Sequence, residues 1–129
     1  MLFLSALHVY WALGGDWGSA VTIPTVAGRR TLNPSPLATY VVAFLLASAA
    51  LVICGEARLF STGPWAWFFH AGAWCIAGVF LLRTVGNFST FGFFKRVTDT
   101  PFAYWDTRLY SPLCLALAVL AVAVAASRD

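Results

Sequence analysis

Several polar side chains stand where the last apolar segment of the chain begins. Within WDTRLYSPLC, residues 105–114, an acid, a base and a phenol follow closely as Asp106, Arg108 and Tyr110. An ionisable group at the rim of an apolar segment is costly unless it is paired or used, so each invites a functional interpretation. An aspartate in this position is suited to acid–base chemistry, and an arginine is suited to holding an anionic group.

Other polar residues are expected at the same end of the molecule, because they flank the ends of the neighbouring apolar segments. We predict a candidate polar site composed of His8, Tyr10, Trp11, Asp16, Arg83, Asn87, Asp106 and Tyr110. Asp106 has two alternative roles: a structural one, as a helix N-cap or in a salt bridge to Arg83, or a role in the site itself. Antiparallel helices would bring Arg83 and Asp106 to the same depth, so we predict that the two residues pair.

A second polar cluster, of Glu56, Arg58 and His70, is expected at the opposite end. A contact between Glu56 and His70 is one alternative, and a hydrogen bond from His70 to backbone or water is the other. Haem ligation by His8 and His70 is disfavoured, because a rise of 1.5 Å per residue offsets them by about 12 Å along the helix axes. The three cysteines lack the spacing of a metal site, so we predict no metal and no cofactor.

The composition identifies the kind of element that must position these residues. The chain has 129 residues, of which 60% are hydrophobic and 10% charged, whereas an ordinary soluble domain is about 25% charged. A fold of this size cannot hide so much apolar surface from water. The composition therefore predicts a protein of the lipid bilayer.

Three uncharged apolar segments, residues 37–55, 65–82 and 109–127, are each close to the ~20 residues that cross a hydrocarbon core. The first 13 residues are also apolar, and no basic region precedes them as it would in a signal peptide. We predict an all-α, integral membrane, up-down bundle of four transmembrane helices in a single domain, residues 1–129. The helices are expected near residues 1–13, 37–55, 66–84 and 108–126.

The connections between these helices are unequal in length. Residues 14–36 and 84–107 form two long connections, which an up-down order places at one end, here called the long-loop end. Residues 56–64 form a short connection at the other end, here called the short-loop end. The second long connection is rich in aromatic residues beside Lys95 and Arg96, which favours a segment lying in the membrane interface over a solvated loop.

Small residues four apart predict where the helices approach each other closely. They are Ala43 and Ala47, Ala73 and Ala77, and Ala121 and Ala125.

Two motifs carry a resemblance to a known family. HVYWALGGDWG, residues 8–18, follows the pattern H-x-Y-W-x-x-G-G-x-W-G, and DTRLYSPLC, residues 106–114, follows D-x-x-x-Y-S-P-L-C. With four short helices, the chain resembles a bacterial family of small membrane proteins of unknown function. The resemblance covers nearly the whole chain. It implies a four-helix integral membrane protein and supplies no activity.

Three classes of function agree with these features. The first is a multi-pass protein of the cell membrane that binds a lipid, a small amphiphile or a partner protein through its long-loop end. The second is a membrane-embedded enzyme acting on a lipid, with Asp106 or Asp16 as acid or base and Arg83 holding an anionic group. The third is a small transporter subunit that works as a homo-oligomer. Nucleic acid is not an expected partner, because the net charge of +3 is small and no basic domain is present.

Overall fold

The computed structural model describes residues 1–31 and 33–127, and most of them are helical. The helices are α1 (Leu2–Ala12), α2 (Ser19–Thr22), α3 (Pro36–Glu56), α4 (Ala66–Val85), α5 (Pro101–Trp105) and α6 (Ser111–Ala126). A 3-10 turn, Gly63–Trp65, precedes α4, and a π turn, Asp106–Tyr110, joins α5 to α6 without a break.

Three helical segments are long and apolar enough to cross a membrane. They are Pro36–Glu56 with 21 residues, Gly63–Val85 with 23 residues and Pro101–Ala126 with 26 residues. α1 is apolar but has only 11 residues, so it is shorter than these three segments.

Neighbouring long helices run antiparallel. α1 packs on α3, where the Ser5 hydroxyl donates a hydrogen bond of 2.7 Å to the carbonyl oxygen of Ala43. α3 and α4 form a hairpin, and α4 packs along α6 with the end of α4 beside the π turn.

Small residues line the contact between α4 and α6, as the spacing predicted. Ala73 and Ala77 of α4 are buried against α6, whose buried positions are Ser111, Ala118, Ala121 and Ala125. By contrast, large side chains such as Phe44, Leu82 and Leu120 are mostly exposed. This order, with small residues inside and large apolar residues outside, is the reverse of that in a water-soluble protein.

The last helical segment begins two turns earlier than the sequence predicted. Its N-cap is Thr100, whose hydroxyl accepts a hydrogen bond of 3.1 Å from the N–H of Ala103, and Pro101 occupies the first helical position. The expectation of Asp106 as an N-cap is therefore wrong, because Thr followed by Pro is itself a strong helix start. The π turn lies directly before Pro112, and a widened turn relieves the clash of a proline ring with the preceding turn of helix.

The first long connection contains a small hairpin that was not predicted from the sequence. β1 (Thr25–Val26) pairs antiparallel with β2 (Arg29–Arg30). Ala27 and Gly28 between them both have positive φ, 50° and 76°, as a tight two-residue hairpin turn requires.

Candidate functional site

Asp106 is the centre of the polar cluster at the long-loop end. The residue is fully buried, and its carboxylate accepts hydrogen bonds from three donors, one on α4 and two in the loop that follows α4. Arg83 Nη2 of α4 donates to Oδ1 at 2.8 Å, while the N–H of Gly92 and Lys95 Nζ donate to Oδ2 at 2.8 and 3.1 Å. The predicted Arg83–Asp106 pair is therefore confirmed, and the alternative of a salt bridge holds for Asp106.

The arrangement of the helices explains why these two residues meet. Arg83 lies two residues before the end of α4 and Asp106 opens the π turn before α6. Because α4 and α6 are antiparallel, both reach the same level of the structure. The side chain of Arg83 is 30% exposed, whereas that of Asp106 has no exposed surface.

Lys95 completes the cluster, although it was not among the site residues predicted from the sequence. Its side chain is only 3% exposed. Its ammonium group donates to Asp106, to the carbonyl oxygen of Gly92 at 2.9 Å and to the hydroxyl of Thr107 at 2.6 Å. An ammonium group has three hydrogens, so each has an acceptor. The position of Lys95 among exposed aromatic residues suggested an interfacial cation, and nothing local distinguishes it from Arg96.

The loop between α4 and Lys95 is closed by two glycines. Gly86 and Gly92 both have a φ of 88°, and a Cβ atom on Gly92 would lie 2.3 Å from the Cα of Gly86. Asn87 organises the intervening turn, since its Oδ1 accepts hydrogen bonds from the N–H groups of Ser89, Thr90 and Phe91. Asn87 therefore shapes the loop that presents the Gly92 N–H to Asp106.

One guanidinium nitrogen of Arg83 has no acceptor within the part of the chain that the structure describes. Nη1 is buried and has no hydrogen-bond partner among the described residues, while the guanidinium carbon lies 4.7 Å from the centre of the Phe91 ring. Two cations, Arg83 and Lys95, thus face one carboxylate, so the cluster carries an excess positive charge.

Tyr110 contacts residues of both long connections. Its hydroxyl donates a hydrogen bond of 3.4 Å to the carbonyl oxygen of Val21, and its ring lies 6.0 Å from that of Phe102. In the same region α2 packs on α5. Tyr110 is one helical turn from Asp106, so it lies at the edge of the cluster.

The remaining predicted residues lie in α1 or just after it, and they form a separate, local arrangement. Trp11 donates a hydrogen bond from Nε1 to the carbonyl oxygen of Trp17 at 2.8 Å, and the Tyr10 hydroxyl accepts one from the N–H of Trp17 at 3.4 Å. His8 Nδ1 donates to the carbonyl oxygen of Leu4 at 2.7 Å. Asp16 is exposed. Within residues 1–31 and 33–127, no hydrogen bond or ion pair joins His8, Tyr10, Trp11 or Asp16 to Asp106.

The surface around the cluster is aromatic and basic. Arg96 is exposed, and Arg108 stacks on the ring of Tyr104 at 4.2 Å and donates a hydrogen bond to its hydroxyl. Exposed aromatic side chains surround them: Phe88, Phe93, Phe94, Tyr104 and Trp105.

At the short-loop end, Glu56 and His70 form the contact that was one of the two alternatives. His70 Nδ1 lies 2.7 Å from Oε1 of the buried Glu56. Arg58 is exposed with a φ of 59°, and its side chain forms no hydrogen bond or ion pair with the described residues. In the part of the chain that the structure describes, no group of three or more His, Cys, Asp or Glu side chains is placed to hold a metal ion.

Comparison with models of known protein families gives a match over most of the chain. The model of the family described as "Protein of unknown function (DUF3995)" matches residues 1–121. Searches of curated proteins and of solved structures find no match.

Proposed function

Because the chain belongs to the family described as Protein of unknown function (DUF3995), we propose its function from the geometry of the long-loop end: it is a small multi-pass protein of the cell membrane that binds an anionic lipid headgroup there. In this proposal α1, α3, α4 and the Pro101–Ala126 segment cross the bilayer as an up-down four-helix bundle.

The distribution of side chains supports insertion into a bilayer. Three helical segments have sufficient length and hydropathy, and their large apolar side chains face outward around a seam of small residues. Small residues are the usual contacts between helices in lipid, and lipid would cover the outer faces.

The observation that carries the headgroup proposal is the unused Nη1 of Arg83. A guanidinium presents a planar fork of donors that matches phosphate or carboxylate oxygens. In this cluster Nη2 is bound to Asp106, while Nη1 has no acceptor among the described residues. The excess positive charge of the cluster favours an anion as the missing acceptor.

The surroundings suit a charged membrane surface. Exposed aromatic rings prefer the headgroup level, and each basic residue near an anionic surface contributes about 1 kcal/mol of attraction. Arg96 and Arg108 are exposed beside the aromatic residues of this end, and exposed Arg29 and Arg30 lie in the other long connection.

The geometry favours binding over catalysis by Asp106. A general acid or base must reach the proton that it transfers. The Asp106 carboxylate is fully buried and accepts hydrogen bonds from three donors. These features suit a carboxylate that orients Arg83 better than one that transfers protons. A membrane-embedded enzyme using Asp16, or an oligomeric transporter subunit, would need features beyond this cluster.

Native mass spectrometry of the protein in mild detergent, with phosphatidylglycerol or phosphatidylcholine added at equal concentration, tests the proposal. We expect phosphatidylglycerol to remain bound and phosphatidylcholine to dissociate. Arg83→Lys keeps the positive charge beside Asp106 but removes the fork, so its retention of phosphatidylglycerol should fall about tenfold. That change corresponds to about 1.4 kcal/mol.

Arg58→Lys at the short-loop end is the matched control and should retain the lipid like the unsubstituted protein. Equal retention of both lipids, or an Arg83→Lys variant that binds phosphatidylglycerol normally, would contradict the proposal. The same spectra report the number of chains in each complex.

A further inference from the structure

The nitrogen of Arg83 that the headgroup proposal assigns to an anion is covered in the structure. Nη1 is buried, although the Arg83 side chain as a whole is 30% exposed. The ring of Phe91 lies over the guanidinium, and the guanidinium carbon is 4.7 Å from the ring centre. Because Nη1 is buried, an anion reaches it only after a covering side chain has moved, and the Phe91 ring is in contact with the guanidinium.

The backbone of Phe91 is held in place, so the movement falls to the side chain. Its N–H donates to Asn87 Oδ1 at 3.2 Å, and its carbonyl oxygen accepts from the Asn87 N–H at 3.3 Å. The next residue, Gly92, donates its N–H to Asp106 at 2.8 Å. Rotation about the Cα–Cβ bond, from one staggered rotamer to another, takes the ring away from Arg83 and leaves these hydrogen bonds intact.

The loop that carries Phe91 also offers the ring a second environment. Phe88 and Phe94 of the same loop are 57% and 63% exposed, and their rings lie 6.3 Å apart. Aromatic side chains are favoured at the headgroup level of a membrane. The Phe91 ring therefore has one favourable position over a cation and another at the surface, beside exposed aromatic rings.

The ring and an anionic headgroup compete for the same guanidinium. A hydrogen bond to an ionised group is stronger than a cation–π contact at a partly exposed site. A headgroup with a net negative charge also offsets the excess positive charge of Arg83 and Lys95 beside Asp106. We propose that Phe91 is a gate on the Arg83 site, closed over the guanidinium as in the structure and displaced when an anionic headgroup binds.

This inference rests on the headgroup proposal and adds the residue that determines how readily the site is entered. Phe91 competes with the anion, so a weaker contact between the ring and Arg83 gives tighter lipid binding. A side chain that only supported the shape of the site would have the opposite effect, because its replacement would weaken binding.

Native mass spectrometry with phosphatidylglycerol, carried out on variants of Phe91, tests the gate. Phe91→Leu keeps an apolar side chain but removes the aromatic face, so retention of the lipid should rise about two- to fivefold. Phe91→Trp supplies the ring that binds cations best, so retention should fall below that of the unsubstituted protein. Phe88→Leu and Phe88→Trp, at an exposed ring of the same loop, are the matched controls and should leave retention unchanged.

Fluorine NMR follows the ring itself in the same detergent. Protein labelled with para-fluorophenylalanine carries eleven labelled rings, and the signal that is missing from Phe91→Leu belongs to Phe91. Addition of phosphatidylglycerol should shift this signal, whereas phosphatidylcholine at equal concentration should leave it in place. Thermal unfolding of each variant shows that folded proteins are compared, and the fluorine signal of the unsubstituted protein decides the question if a Phe91 variant does not fold.

Equal retention by Phe91→Leu and Phe91→Trp, or higher retention by Phe91→Trp, would overturn the gate, and so would a Phe91 signal that phosphatidylglycerol leaves unchanged. In these cases the headgroup proposal stands as long as the unsubstituted protein retains phosphatidylglycerol over phosphatidylcholine. Loss of that preference would contradict the headgroup proposal and the gate together.

Discussion

Individual side chains at the long-loop end share one buried carboxylate. Asp106 accepts hydrogen bonds from Arg83 of α4 and from Gly92 and Lys95 of the loop that follows α4. A buried charge that loses its partner costs more than the pair contributes. The cluster therefore holds α4, the loop and the last helical segment together only while all its members are present.

A double-mutant cycle measures the Arg83–Asp106 contribution. Asp106→Asn leaves two cations without a counter-charge and should lower the free energy of unfolding by about 3–5 kcal/mol. Arg83→Met should cost less, about 1–3 kcal/mol, because Lys95 and Gly92 still hold the carboxylate. The loss of unfolding free energy in the double variant should be smaller than the sum of the two single-variant losses by at least about 1 kcal/mol. All three losses are measured by unfolding in detergent.

The control for this cycle is Arg58→Met, which removes an exposed arginine and should change stability by less than about 0.5 kcal/mol. Additive effects of Arg83→Met and Asp106→Asn would show that the two residues do not interact energetically.

At the scale of elements, the shape of the loop after α4 depends on particular residues. Gly86 and Gly92 touch backbone to backbone, Asn87 closes the turn between them, and Gly92 then donates its N–H to Asp106. This loop also carries Phe91 over Arg83. The geometry of the candidate site therefore depends on a close approach that only glycine permits.

Gly92→Ala tests that dependence. At a φ of 88° an L side chain is strained, and the new Cβ would lie 2.3 Å from the Cα of Gly86. We expect a loss of about 2–5 kcal/mol, which combines backbone strain of about 1–2 kcal/mol with overpacking of about 1–3 kcal/mol.

Gly18→Ala is the matched control for Gly92→Ala, because Gly18 has a φ of 75° but open space around its Cβ position. It should cost only the strain of about 1–2 kcal/mol. Equal losses for the two variants in thermal unfolding would show that the contact with Gly86 is unimportant.

The whole molecule presents large apolar side chains on its outside. Val119 in α6 is 58% exposed and neighbours the buried Ala118 of the seam. An exposed valine is an ordinary surface residue in water, but in a bilayer it contacts lipid. A charged side chain at this position would therefore be tolerated in water but would be costly in free energy against lipid.

Val119→Asp distinguishes them. A central aspartate facing lipid costs about 2.5–3.5 kcal/mol on insertion scales, so the fraction of protein that stays in membranes after alkaline carbonate extraction should fall severalfold. Thr98→Asp, in the exposed long-loop end, adds the same charge outside the helices and should leave that fraction unchanged. If both variants are extracted alike, the outer face of α6 does not contact lipid.

Sequence alone determined the features that depend on local composition. The uncharged segments predicted the three long helices, small residues four apart predicted the α4–α6 seam, and the helix order placed Arg83 level with Asp106. These features can be predicted from the sequence because hydropathy and helical period depend on the residues within one segment. The antiparallel order depends only on the sequence of segments along the chain.

Only the tertiary structure decided how the polar residues divide. It brought Lys95 and the Gly92 N–H onto Asp106 and gave Asn87 a role within the loop. It also joined Tyr10 and Trp11 by hydrogen bonds to Trp17 instead of to Asp106. Each of these outcomes depends on a loop conformation, and that of the loop after α4 is set by contacts of Gly92 and Lys95 with Asp106, which lies 14 and 11 residues away in the chain. Such contacts leave no periodic signal, so an ammonium group with three acceptors within the protein and one that faces the headgroups look alike in the sequence.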